Sequence, residues 1–401
     1  MDVRIYPSRI KGVTEAISPK SAALRTLLIA SLSGEEISVK FNNRSAEIFA
    51  AMQTLTASFA EVTRTGSVYT IKPKAELPSQ ADINLGGGAA ALRFLIAPLT
   101  AAGFDRINLT GDGGVLTRVL RELCEKLRGV ILTGETTPAI VTGRLKGGIY
   151  DFDETVPSSF IDGLIFALAM TKEGGEIRLS EKEADSKHVL SCVKALNESG
   201  KGAKVSGGRI IVFGSDGETR FAAPKIRELA GEPLSAAPFY AIKLLGGDIE
   251  IENIADKDGK EEILSAMKSA MSGGTVSFKG VSAAAPFAAV CAAFSNKACF
   301  IEKAFTKPKD GEAINALITN LVKMGAKAEI KDNGIKITGT VGLKGGAYTD
   351  GFGNPRVAAA TAVAAVFANE PTVLLSAEAA NKEYPEFFNE LIKLGARIES
   401  L

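Results

Sequence analysis

The sequence predicts an α/β protein of two lobes, each lobe three copies of a β-α-β-α-β-β-like unit with buried, parallel helices. Three observations carry this. Six apolar helical runs begin near Ser18, Gly86, Pro157, Gly231, Ala284 and Asn354, and each continues almost unbroken through Ala, Leu, Ile, Val and Phe. Each run is followed by a short strand and, after it, an amphipathic helix that in most copies ends at a glycine before another strand. The pattern recurs at intervals of roughly 70 residues, which is the length of a folding unit rather than of a solenoid turn.

The elements follow in order. Asp2 to Tyr6 reads as a strand with no helix partner of its own, rather than as a signal peptide. The strands after the six apolar helices are Glu36–Lys40, Arg106–Leu109, Glu176–Leu179, Asp248–Ile251, Ala298–Ile301 and Thr372–Leu375. The clearest amphipathic copy runs from Ile314 to Met324, stops at Gly325 and passes into Ala326–Ile330. Ala-rich stretches such as 357–367 have strong helix propensity and belong to the core. The shortest interval, 231 to 284, follows Phe221-Ala222-Ala223-Pro224, where the second half begins. Placing the first strand with that half gives one lobe of residues 1–14 and 226–401 and an inserted lobe of 15–225. Two linkers, one with Gly12 and one with Ala222-Ala223-Pro224, predict a clamshell that closes on its ligand.

Composition narrows the chemistry. The 401 residues are 46% hydrophobic and 23% charged, which suits a globular protein with a large core. A net charge of +1 provides no general attraction for nucleic acid or membrane, so any preference for anions must be local. No apolar run reaches the roughly 20 residues of a membrane span without small or polar interruption, and a cytoplasmic location is expected. Cys124, Cys192, Cys291 and Cys299 lack metal-ligand spacing, and Cys192 and Cys291 read as small core residues. His188 is the single histidine and reads as a partly exposed residue at a helix start. Histidine-based acid–base chemistry, Ser–His–Asp nucleophiles and His-ligated metals are thereby disfavoured. Lysines, arginines and carboxylates must do the work.

The helix starts suggest where. The first turn of a helix carries unpaired N–H groups and the positive end of the dipole, a natural seat for anions. Lys20, Arg25, Arg93, Arg118 and Arg356 lie on or near such starts. In Ser18-Pro19-Lys20-Ser21-Ala22-Ala23-Leu24-Arg25, ammonium, hydroxyl and backbone N–H can converge on one phosphate. Leu24, Leu27, Leu28 and Ile29 around Arg25 argue against a fully solvated face.

At these motifs the chain resembles the enolpyruvyl transferases of the 5-enolpyruvylshikimate-3-phosphate synthase type. Ile17–Arg25 is similar to the family's Pro-Gly-Ser-Lys-Ser-x-x-x-Arg, and Leu85–Arg93, with Gly87, to its Leu-Gly-Asn-Ala-Gly-Thr-x-x-Arg. Gly111–Arg118 resembles Gly-Asp-x-x-x-x-x-Arg, Ser158-Ser159-Phe160 resembles Ser-Ser-Gln, and Ser186 stands for a later helix-start serine. Gly231–Ser235 echoes Gly-Asp-x-Ser, Asn354-Pro355-Arg356 stands for Asp-His-Arg, and Lys382-Glu383-Tyr384-Pro385 for Lys-Ser/Thr-Phe-Pro. The resemblance spans essentially the full length.

The resemblance implies a two-lobe inside-out α/β barrel that acts without metal or organic cofactor, expected as a monomer. It implies shikimate 3-phosphate and phosphoenolpyruvate as small-molecule substrates. Lys20, Ser158, Ser159 and Ser186 would hold the acceptor, Arg93, Arg118, Arg356 and Lys382 would clamp the donor, and Ser21, Arg25 and Gly87 complete the implied binding set. Lys20 and Lys382 would stand closest to the chemistry. The acid–base positions depart from the family. Its catalytic aspartate falls on Ala284, its Lys-Glu-Ser/Thr-Asp-Arg motif on Pro308–Glu312 with Lys309 at the glutamate, and the glutamine of Ser-Ser-Gln on Phe160. Glu232 and Asp310 are the candidate replacement acids. Three outcomes stay open: a divergent transferase of this type, a paralogue with another acceptor, or a non-catalytic anion-binding or regulatory protein on the same fold.

Overall fold

The computed structural model describes residues 1–84, 88–111, 114–152, 156–216, 218–225, 227–254, 257–278, 281–304, 308–332, 334–340 and 342–401. The chain divides into two compact units, 1–18 with 230–401, and 19–229. Each unit is built from one motif used three times.

In the 19–229 unit, each copy is a four-stranded sheet with one parallel pair and an antiparallel hairpin. Glu228–Leu229 lies parallel to Ile37–Phe41, which pairs with the hairpin of Val68–Pro73 and Ala60–Thr65. Gln80–Asn84 and Arg106–Thr110 open the second sheet, and Gly148–Asp151 and Gly175–Arg178 the third. The chain thus leaves this unit only after its last strand has closed the first sheet. Alternation along Ile37–Phe41, with Ile37, Val39 and Phe41 buried, shows a sheet with one face on the core.

The buried helices are Lys20–Ser31, Ala89–Ala102 and Ser158–Ala169. They start within three residues of the expected positions, and Leu27, Leu28, Leu95, Ile96, Leu164 and Phe166 are fully enclosed. Gly163 lets the third helix meet the second: a Cβ there would collide with the Phe94 carbonyl. Phe160, in the glutamine's place, is a core side chain set edge-on to Phe152.

The other unit repeats the plan with variations. Val3–Ile5, the strand without a helix of its own, pairs antiparallel with Thr372–Leu375 and Ile398–Ser400, completing the last sheet from the opposite end of the chain. Gly274–Ser277 and Cys299–Glu302 form another parallel pair, and Asp248–Glu252 pairs only with Lys11–Glu15. Its buried helices are Ala237–Leu244, Ala285–Ala293 and Pro355–Phe367; the first two are entered through short 3-10 turns. Gly231 packs against Ala16 where a Cβ would not fit. The four cysteines are buried free thiols, and no helix among the described residues is long and apolar enough to cross a membrane.

Candidate functional site

The first and third buried helices begin alike. Pro19 (φ −59°, ψ 123°) and Pro157 (φ −60°, ψ 131°) hold the chain extended just before the helix, and neither helix has a side-chain cap. Proline sets the entry angle but brings no acceptor, so the first-turn N–H groups stay available to an outside anion. Lys20 and Ser21 are half-buried at the first of these starts. Ser158 is exposed and Ser159 half-buried at the other. Among the described residues Lys20 has no ion-pair partner.

One turn further in, these two helices are joined. Ser21 and Arg25 are four residues apart on one helix face, as are Ser158 and Asp162 on the other. Arg25 Nη1 donates to Asp162 Oδ2 at 2.8 Å, with the side chains only 7% and 2% exposed. The second carboxylate oxygen, Oδ1, stands 3.0 Å from Nε2 of His188, whose side chain is 32% exposed. Both of these atoms are buried, and the approach is off the line of a good hydrogen bond, so the contact is one of charge and position.

His188 is the second residue of the Lys187–Glu198 helix, capped by Ser186, whose Oγ accepts the Val189 N–H at 3.3 Å. Cys192, on the same helix, lies 3.9 Å from the Asp162 carbonyl, and burial pushes its thiol well up, so it adds no negative charge. The starts of three helices therefore converge on one carboxylate. Lys20, Ser21, Arg25, Ser158, Ser159 and Ser186 all belong to this neighbourhood.

Two other helix starts are already occupied by the protein. Glu47, on the Ala46–Ser58 helix, accepts the Ala91 N–H through Oε2 at 2.8 Å, filling the first turn of the second buried helix with an internal carboxylate. Arg93, on that helix, is half-buried and engaged by neighbours, and Arg118 is exposed on the Gly114–Glu125 helix. Gly87 lies outside the described residues.

In the other unit, Asn354 caps the Pro355–Phe367 helix, its Oδ1 accepting from the N–H of Arg356 at 3.0 Å and of Val357 at 3.2 Å. Arg356 Nε donates to Glu383 Oε1 at 3.0 Å, with the two side chains 33% and 32% exposed. Lys382 is exposed, and its Nζ donates to the Gly353 carbonyl at 3.2 Å, which keeps it beside the same helix start.

Of the acid candidates, Glu232 precedes the Pro233–Ala236 turn, and its backbone N–H donates to Ile17. Lys309 and Asp310 enter the Pro308–Lys323 helix, but their side chains lie outside the described residues. Ala284 is fully buried among apolar neighbours. No metal-binding group of His, Cys, Asp or Glu occurs among the described residues.

Sequence reading singled out the cations and missed the carboxylates that meet them: Asp162, Glu47 and Glu383. Asp162 did leave a signal, an acid in an otherwise apolar buried helix, because a group so placed requires a charged partner.

The fold is that of the inside-out, two-lobe α/β transferases. Its likeness to a solved EPSP synthase from Acinetobacter baumannii has a TM-score of 0.78 at 17% identity, covering 100% of both chains. The enolpyruvyl transferase NikO from Streptomyces tendae follows at a TM-score of 0.70 and 14% identity, covering 99% of this chain and 98% of that one. The family model for EPSP synthase (3-phosphoshikimate 1-carboxyvinyltransferase) matches residues 6–276 and 255–391, and the chain belongs to that family. A 3-phosphoshikimate 1-carboxyvinyltransferase from Clostridium kluyveri is 25% identical over 419 residues, covering 99% of this chain and 98% of that protein.

Proposed function

We propose that the protein transfers the carboxyvinyl group of phosphoenolpyruvate to the 5-hydroxyl of shikimate 3-phosphate, a step of aromatic amino acid biosynthesis. Family membership supports the reaction class. The observation that carries the site is the pair of proline-led, uncapped helix starts with Lys20, Ser21, Ser158 and Ser159, joined by the Arg25–Asp162 bond.

The first requirement is electrostatic. Both substrates are polyanions, and their repulsion must be neutralised before carbon and oxygen can meet. Open N–H groups with Lys20 suit the acceptor's phosphate, and the serine hydroxyls suit its ring oxygens. Arg93, Arg118, Arg356 and Lys382 form the donor set. In the reaction, a proton adds to the enol methylene as the acceptor oxygen bonds to the adjacent carbon, the hydroxyl proton leaving to a base. The phosphate carries away its bonding electrons, and loss of a proton from the new methyl group restores the double bond. The chemistry requires proton transfer but no redox partner. Lys20, Lys382, Glu232 and Asp310 are the groups assigned to it.

A second reading, substrate binding with another acceptor or without turnover, is favoured by one observation: Ala284 is buried in an apolar cluster, and residues 281–294 contain no acid. Calorimetric titration with both substrates, followed by phosphate release at high protein concentration, decides. Binding with release supports the transferase. Binding without release supports the second reading, and no binding of either substrate removes both substrate assignments.

A further inference from the structure

Arg25 is a cation in the binding neighbourhood whose charge is already matched. Its guanidinium is 7% exposed and bonded to Asp162, which is itself 2% exposed. A ligand anion that took Arg25 for itself would strand a buried carboxylate, an unfavourable exchange. The same carboxylate has a second oxygen, and that oxygen faces His188. His188 is the outermost member of the cluster: Nε2 is buried against Asp162, Nδ1 has no partner among the described residues, and about a third of the side chain meets solvent.

We infer that His188 is a specificity-determining residue that contacts the anionic group of the acceptor through Nδ1, with Arg25 and Asp162 acting as positioning residues behind it. The inference rests on the acceptor site proposed above. Asp162 fixes which nitrogen points inward: its carboxylate is held ionised by Arg25, so Nε2 must carry the hydrogen that faces it. The outward nitrogen is then free, and an anion docking there favours the doubly protonated ring. Ser186, two residues earlier, and Ser158, one turn before Asp162, flank the same point. The other charged side chains near His188 in sequence, Asp185 and Lys187, are exposed. Cys192, behind it, stays protonated because burial raises its thiol.

Because the chain holds one histidine, a single set of imidazole resonances reports the contact in the untagged wild-type protein. Shikimate 3-phosphate is titrated while the imidazole resonances are followed by NMR, with calorimetry on the same sample. Resonances that move and saturate with the calorimetric isotherm support the contact. Calorimetric binding with resonances that stay in place overturns the contact and leaves the substrate assignment intact. If shikimate 3-phosphate does not bind, the substrate assignment falls, and inorganic phosphate becomes the probe. A saturating resonance shift then supports His188 as an anion contact, and none overturns it. In parallel, His188→Gln keeps a neutral hydrogen-bonding side chain but loses the charge, and affinity for whichever anion binds should fall about tenfold or more. Unchanged affinity in that variant also overturns the inference.

Discussion

Arg25 and Asp162 neutralise each other at 2.8 Å between the first and third buried helices, almost out of reach of water. Removing either partner leaves the other as an uncompensated buried charge, which typically costs about 3–5 kcal/mol. Asp162→Ala and Arg25→Ala should each lower the urea midpoint by a corresponding amount. The double variant Arg25→Met with Asp162→Leu should recover most of that loss. If each single change proved neutral, the pair would not be buried as described.

Glu47 occupies the first turn of the second buried helix by accepting the Ala91 N–H. An anion from phosphoenolpyruvate at this start must compete with that carboxylate. Glu47→Ala should therefore tighten phosphoenolpyruvate binding, by about 0.3–1 kcal/mol if the helix start accounts for the gain. Calorimetry measures this directly, and weaker binding in the variant would show that Glu47 supports the donor site rather than filling it.

Glu383 plays a similar part toward Arg356, in a pair with both side chains about one-third exposed. Half-exposed pairs contribute little, about 0–1 kcal/mol, so their loss should barely change stability. Phosphoenolpyruvate affinity is the sensitive readout. Glu383→Ala should raise it several-fold with an unaltered unfolding midpoint, whereas Arg356→Ala should lower it.

These pairs show where sequence reading succeeds and where it stops. The six buried helices were legible because an apolar run with no polar face can only be interior, and their starts were found to within a few residues for Lys20–Ser31, Ser158–Ala169 and Pro355–Phe367. The pairing of Val3–Ile5 with strands near residues 372 and 398 depends on how the chain returns, which periodicity does not encode. Lys20 and Arg25 look equivalent as letters. Their environments separate them: one stands at an open helix start, and the other is locked to a carboxylate 137 positions away in the chain. His188 reads as an ordinary helix-start residue until the third helix brings Asp162 against it.

The buried thiols give stability a defined pH dependence. Burial pushes Cys124 and Cys291 up to about 12 and Cys299 up to about 11, from an ordinary value of 9.0. Below pH 9 both folded and unfolded chains keep these protons, and nothing changes. Between 9 and the raised values the unfolded chain releases them while the folded chain holds them, so stability falls as pH rises. Tyr240, raised to about 12 by burial, acts in the same direction above its own ordinary value of 10.0. Urea midpoints should fall between pH 8.5 and 10.5, and Cys291→Ala should show a shallower fall despite its lower starting stability. Equal slopes in the two proteins would mean that Cys291 ionises as readily folded as unfolded.

Lys20 provides the sharpest separation between a binding role and a structural one. It stands half-buried at an uncapped helix start and has no ion-pair partner among the described residues, so Lys20→Ala removes no described ion pair. Folding stability should change by less than about 0.5 kcal/mol, the range of an ordinary surface substitution. If Lys20 makes a charge-assisted bond to the acceptor's phosphate in a desolvated site, affinity for shikimate 3-phosphate should fall by about 2–4 kcal/mol. Arg93→Ala should have a comparable effect on phosphoenolpyruvate and little on shikimate 3-phosphate. Calorimetry of each variant with each ligand separates the two halves of the site. Equal losses for both ligands in both variants would mean that Lys20 and Arg93 serve one shared anion seat rather than distinct acceptor and donor positions.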